Sequence, residues 1–99
     1  MPKYLVVLIS FVISAFASHT GIIAGLVLDG SGDPLVGATV NIEGTEFGAM
    51  TSNRGEFVIP TVSPGEYTIV ARMVGRTTSR VEGVRVQSDN TSIVNFELH

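Results

Sequence analysis

Few residues in this 99-residue chain have the chemistry for catalysis, and they are scattered. There is no cysteine, so a thiol nucleophile and a thiolate metal site are both excluded. The two histidines, His19 and His99, lie at opposite ends of the region that can fold. Chain ends fray unless something ties them down, so these imidazoles are expected to be solvated. The carboxylates Glu43, Glu46, Glu56, Glu66, Glu82 and Glu97 fall on outward strand positions or in turns. Paired acid–base work needs two of them in one cleft with pKa values driven apart, and their spacing gives no such pair. Asp29 and Asp33, with glycines between them, resemble a fragment of a calcium loop. The helical calcium loop needs more acidic ligands and a closing glutamate in a roughly 12-residue register, and Pro34-Leu35 interrupts that register. The expectation is that these aspartates cap a turn. No catalytic, metal-binding or cofactor-binding residue is assigned, and no cofactor is expected.

Binding chemistry is equally sparse. A sugar platform uses exposed rings, and after residue 17 the chain has only Phe47, Phe57, Tyr67 and Phe96. Three of these sit at inward strand positions, which leaves Phe47, in the loop after Gly44-Thr45, as the ligand candidate. Arg72, Arg76, Arg80 and Arg85 cluster late in the chain and could form a basic patch. Charges that keep strand edges from aggregating explain them as well.

The elements that must position these groups read as strands. From residue 21 onward no stretch repeats its apolar residues at helical spacing, and turn formers arrive about every 8–12 residues, as in a sandwich or barrel. About seven strands are expected, over 21–28, 38–43, 48–52, 56–59, 66–74, 77–86 and 92–98. Asn53-Arg54-Gly55 should make a tight hairpin, with Gly55 at positive φ. Gly83 should mark a bulge, and the short third strand an edge. In the first strand both faces are apolar: Ile23, Gly25 and Val27 alternate with Ala24, Leu26 and Leu28. Either a loop covers its outer face or that face meets a partner.

Ahead of these strands stands a different kind of segment. Lys3 precedes an apolar run from Leu5 to Ile13, and Ala15 and Ala17 follow in an Ala-x-Ala arrangement. That order is the layout of a secretory signal peptide, with cleavage expected after Ala17. Tyr4 to Ala17 supplies 14 residues, short of the roughly 20 that a membrane-spanning helix needs. The expected organisation is a signal peptide over 1–17 and one all-β domain over 18–99. The expected location is the periplasm, the outer membrane or the exterior. The exported part carries five arginines against nine acids, so electrostatics favour neither nucleic acid nor an anionic membrane. Without cysteine it must fold on its apolar core alone.

Several ordered motifs then resemble one family. Ile23 to Asp29, followed by Gly32-Asp33-Pro34-Leu35-Val36-Gly37-Ala38-Thr39-Val40 and Gly44-Thr45, is similar to the opening of the carboxypeptidase regulatory-like domain. Thr51-Ser52-Asn53-Arg54-Gly55-Glu56-Phe57 resembles that family's hairpin, and Pro64-Gly65-Glu66-Tyr67-Thr68-Ile69 its Pro-Gly-x-Tyr turn. The resemblance runs from about Ile22 to Leu98. It implies a seven-stranded prealbumin-like (transthyretin-like) β-sandwich with no catalytic residues. Its framework here is Gly25, Asp29, Pro34, Gly37, Gly44, Gly55, Phe57, Pro64, Gly65, Tyr67 and Phe96. Two positions depart from the family pattern: Asn53 replaces the common Asp, and Arg76 stands where an aromatic usually follows Gly75.

The expected function is therefore a non-catalytic exported interaction or structural module. Such domains often lead TonB-dependent outer-membrane receptors, so the resemblance implies a stand-alone module or the leading part of a receptor. In that setting a protein partner in the cell envelope is expected, and membrane contact only through the receptor. The alternative is a carbohydrate- or peptide-binding module.

Overall fold

The computed structural model describes residues 19–99, so the expected signal peptide and its cleavage site lie outside the described residues. The described chain forms β1 (Gly21–Asp29), β2 (Thr39–Ile42), β3 (Gly48–Met50), β4 (Glu56–Val62), β5 (Gly65–Arg72), β6 (Ser79–Val86), β7 (Thr91–Ile93) and β8 (Phe96–Leu98). One sheet has β1 at its centre, with β4 on one side and β7 and β8 on the other. The second runs β3-β2-β5-β6, which makes β3 an edge. The architecture is an all-β sandwich.

Alternation along the strands builds the interior. Ile23 and Val27 from β1 meet Phe57 and Ile59 from β4 and Phe96 and Leu98 from β8. Val40, Ile42, Ile69, Ala71, Val84 and Val86 close the core from the second sheet. The Phe57 and Phe96 rings pack tilted at 48° with centroids 6.1 Å apart, one from each strand flanking β1. That separation is within the range of a favourable aromatic pair.

The strand count is eight rather than seven because the last strand is divided. Its register is nonetheless continuous: Ile22 pairs with Thr91 and Val27 with Phe96, both parallel. The interruption falls at Val94-Asn95. A Cβ on Gly25 would lie 1.7 Å from the Val94 carbonyl oxygen, so that carbonyl fills the space beside Gly25. In its place the Asn95 side chain accepts the Leu26 N–H through Oδ1 at 3.0 Å. A side-chain amide thus replaces one rung of the ladder.

Other bounds also shift. β4 continues through Pro60 to Val62, which an edge strand tolerates because its outer N–H positions need no partner. It does so through a bulge: between the pairs Gly21–Val62 and Ile23–Ile59, one residue of β1, Ile22, opposes two of β4, Pro60 and Thr61. Thr61 takes up the difference in the left-handed region, with φ 61°. A bulge at Glu82-Gly83 in β6 lies between the pairs Ile69–Val81 and Tyr67–Val84. β5 ends at Arg72, so Val74 projects into solvent while Val70 on its outward face is buried. Arg80 stands opposite Val70 and reaches Glu43 beyond β2 at 2.7 Å, bridging β5 on that face.

Candidate functional site

Two surfaces carry features that the fold alone does not require. The first is the outer face of the β1 sheet. Strand alternation that sends Ile23 and Val27 inward sends Ile22, Ala24 and Leu26 outward. Ala24 is flanked by Val58 on β4 and Ile93 on β7 in one row across the sheet. Val58 is 53% exposed and Ile93 66%, and Ile22 and Leu26 are each more than a third exposed. No loop among the described residues covers this face, so the alternative that a loop buries it is set aside. The charged strand residues on the same face are Glu56, opposite Leu26, and Glu97, opposite Leu28. The face is thus apolar at its centre and acidic at one end.

The second surface is the end of the sandwich where the β2–β3 loop meets the β4–β5 connection. Ile42, Thr45, Phe47, Thr61, Val62, Ser63 and Tyr67 line a cavity of about 150 Å³ there. Thr45 Oγ1 donates to the Ile42 carbonyl at 2.9 Å and accepts the Phe47 N–H at 3.0 Å, which fixes the loop that presents Phe47. Phe47 itself is 66% exposed. Tyr67 was expected to fill the core with Phe57 and Phe96; it is instead half-buried at the core's edge. Its hydroxyl donates to the Ser63 carbonyl at 2.6 Å, which ties the ring to the β4–β5 connection.

The remaining sequence-assigned residues serve as framework. Asp29 Oδ1 accepts the N–H groups of Ser31 (2.8 Å) and Asp33 (2.9 Å), which caps the loop after β1. Those two bonds, with Arg76 adding a smaller attraction, hold the Asp29 carboxyl below the usual carboxylate range. Pro34 bridges back to Leu28, while Gly37 and Gly44 turn the chain on either side of β2 with positive φ. Gly55 also takes positive φ, 74°, and a Cβ there would meet the Val27 carbonyl oxygen at 2.7 Å. Pro64 precedes β5, which starts at Gly65.

Thr51 was not singled out by its chemistry, yet among the described residues it is the one buried polar side chain. Its Oγ1 accepts the Ala38 N–H at 2.9 Å and donates to the Leu35 carbonyl at 2.6 Å, fastening the loop before β2. Nothing in strand periodicity marks such a role.

The late arginines do not converge. Arg80 is paired with Glu43, Arg85 stands opposite Glu66, and Arg72 stands opposite Thr39. Arg76, in the place of the expected aromatic, donates to the Leu98 carbonyl at 3.2 Å and ties down the end of β8. The histidines are apart as well: His19 lies 3.9 Å from Asp89, and His99 3.8 Å from Glu97. Among the described residues no group of His, Asp and Glu is arranged to hold a metal.

These observations define a β-sandwich module whose distinctive surfaces suit contact rather than bond-making. Residues 22–99 match the model of the carboxypeptidase regulatory-like domain, and the chain belongs to that family of non-catalytic domains. Carboxypeptidase D of Drosophila melanogaster is 40% identical over 82 residues, which cover 82% of this chain. The chain spans only 6% of the length of that curated relative. Among solved structures, a chain of a type II cohesin–X-dockerin complex from Acetivibrio cellulolyticus superposes with a TM-score of 0.69 at 21% identity, over 79% of this chain and 56% of that one. The Bacillus anthracis TIE protein gives 0.63 at 16% identity, over 81% and 16%. At these identities the structural likeness speaks for the fold alone.

Proposed function

We propose that this protein is a non-catalytic interaction module of an exported protein, and that it docks through the outer face of the β1 sheet. The observation that carries this reading is the uncovered row Val58–Ala24–Ile93 with Ile22 and Leu26 beside it. An exposed apolar face on a small domain favours burial against a partner, and at about 25 cal/mol per Å² even a modest patch contributes substantially. Glu56 and Glu97 at one end select a partner with an apolar centre and a basic rim. Membership of a family of accessory domains, and the match to a short part of a much longer relative, support a partner made of protein.

The experiment is site-specific photo-crosslinking in the native cell envelope, from position 58 and, as a control off this face, from position 74. Val74 is 99% exposed on the other sheet's β5–β6 turn. A discrete protein adduct from position 58, absent from position 74 and lost in Leu26→Glu, is expected. Identical adducts from both positions, or none from position 58, would overturn the reading.

Residues 1–17 support export to the periplasm, the outer membrane or the exterior; the mature N-terminus should then be Ser18 by sequencing of the purified protein. The finer reading places the module in the cell envelope, alone or leading a TonB-dependent receptor. An in-frame plug and barrel downstream of His99 in the DNA would support the receptor setting, and an immediate stop followed by an unrelated gene would exclude it.

A further inference from the structure

We infer that the cavity between Phe47 and Tyr67 is a second binding site, separate from the docking face, that takes a single ring of an uncharged saccharide. Three observations converge on it. The lining combines two aromatic rings with the hydroxyl-bearing residues Thr45, Thr61 and Ser63, over a floor of buried Ile42 and Val62. No acid, arginine or histidine lines it, so a charged ligand would find no counter-charge. A face of C–H groups bounded by hydroxyls matches that composition, because rings take the apolar face while hydroxyls both donate and accept.

The hydroxyls are also available. Tyr67 donates to the Ser63 carbonyl but keeps its oxygen lone pairs for an incoming donor. Among the described residues, the Thr61 and Ser63 hydroxyls have no hydrogen-bond partner in the protein. The third observation is strain. A β-branched residue in the left-handed region is an outlier that persists only where its surroundings impose it, and such outliers gather at binding sites. Thr61 is held there by the β4 bulge, at the lip of the cavity. At about 150 Å³ the cavity is smaller than the roughly 300 Å³ at which ligand pockets for larger molecules begin, which limits it to one ring.

The test is an amide chemical-shift titration of the isotope-labelled protein. The probes are glucose, galactose, mannose and N-acetylglucosamine, with glucuronate as a charged counterpart and N-acetyl-leucinamide as a stand-in for a peptide side chain. Saturable shifts confined to residues 42–47 and 61–67 are expected with at least one neutral sugar. They should weaken about tenfold in Phe47→Ala, whose exposed ring leaves the melting temperature unchanged, and severalfold in Ser63→Ala. Three results would each overturn the inference: no confined shifts with any neutral sugar, stronger binding of glucuronate or N-acetyl-leucinamide, or neutral-sugar shifts that survive Phe47→Ala. The docking face is untouched by both variants, so crosslinking from position 58 is decided independently.

Discussion

At the scale of single residues, Thr51 and Asp29 show how polar groups hold loops without forming a site. Thr51→Val keeps the shape but leaves the Ala38 N–H and the Leu35 carbonyl buried without partners. A buried orphan costs about 1–3 kcal/mol, so a loss of about 2–4 kcal/mol is expected in urea unfolding, with Thr51→Ser recovering most of it. Asp29 makes its contribution through the ionised carboxylate. Because its folded pKa is lowered, the stabilisation is present above the usual carboxylate range and is lost as pH falls through the folded value. An NMR titration should find the Asp29 carboxyl titrating below an unperturbed aspartate, and Asp29→Asn should flatten the acid side of the stability curve. The capping role was legible from the Asp-rich loop. Thr51 was not, because one inward threonine among strand residues looks the same whether or not its hydroxyl is used.

At the scale of elements, residue pattern and turn spacing placed seven strands, and they failed to show the break that makes the last one two. Val94, Phe96 and Leu98 keep pointing inward across the interruption, so side-chain periodicity runs on while the ladder does not. What divides β7 from β8 is the Asn95 amide taking a backbone rung, and this depends on a neighbour 69 residues away in sequence. Gly25 makes the arrangement possible by having no Cβ. Gly25→Ala should therefore separate β8 from β1, with the Phe96 and Leu98 amides losing hydrogen-exchange protection first. Asn95→Ala removes only the rung and should cost about 1–2 kcal/mol. The candidate sites were partly legible in the same way. The two apolar faces of β1 and the ring of Phe47 stand in the sequence. The pairing of Phe47 with Tyr67, and the left-handed turn at Thr61, arise from a bulge that no local pattern announces.

At the scale of the molecule, one small core carries the stability without disulfides. Phe57 is 2% exposed and packs on Phe96 across β1. Phe57→Ala should cost about 3–5 kcal/mol, a large share of the roughly 5–15 kcal/mol available to a small domain. Thermal or urea unfolding should remain a single transition at a lower midpoint. A loss under about 1 kcal/mol would mean that the ring is not part of the core.

The parallel pairing of β1 with β8 has a consequence in time. β1 is the centre of its sheet, yet two of its three partner strands, β7 and β8, follow it by about 70 residues, as Val27 beside Phe96 shows. A ribosome delivers β1 long before β8, so the central strand has one side unpaired until β7 and β8 have been made. The β3-β2-β5-β6 sheet can pair before then, but the β1 sheet, and with it the closed core, has to wait for the last two strands.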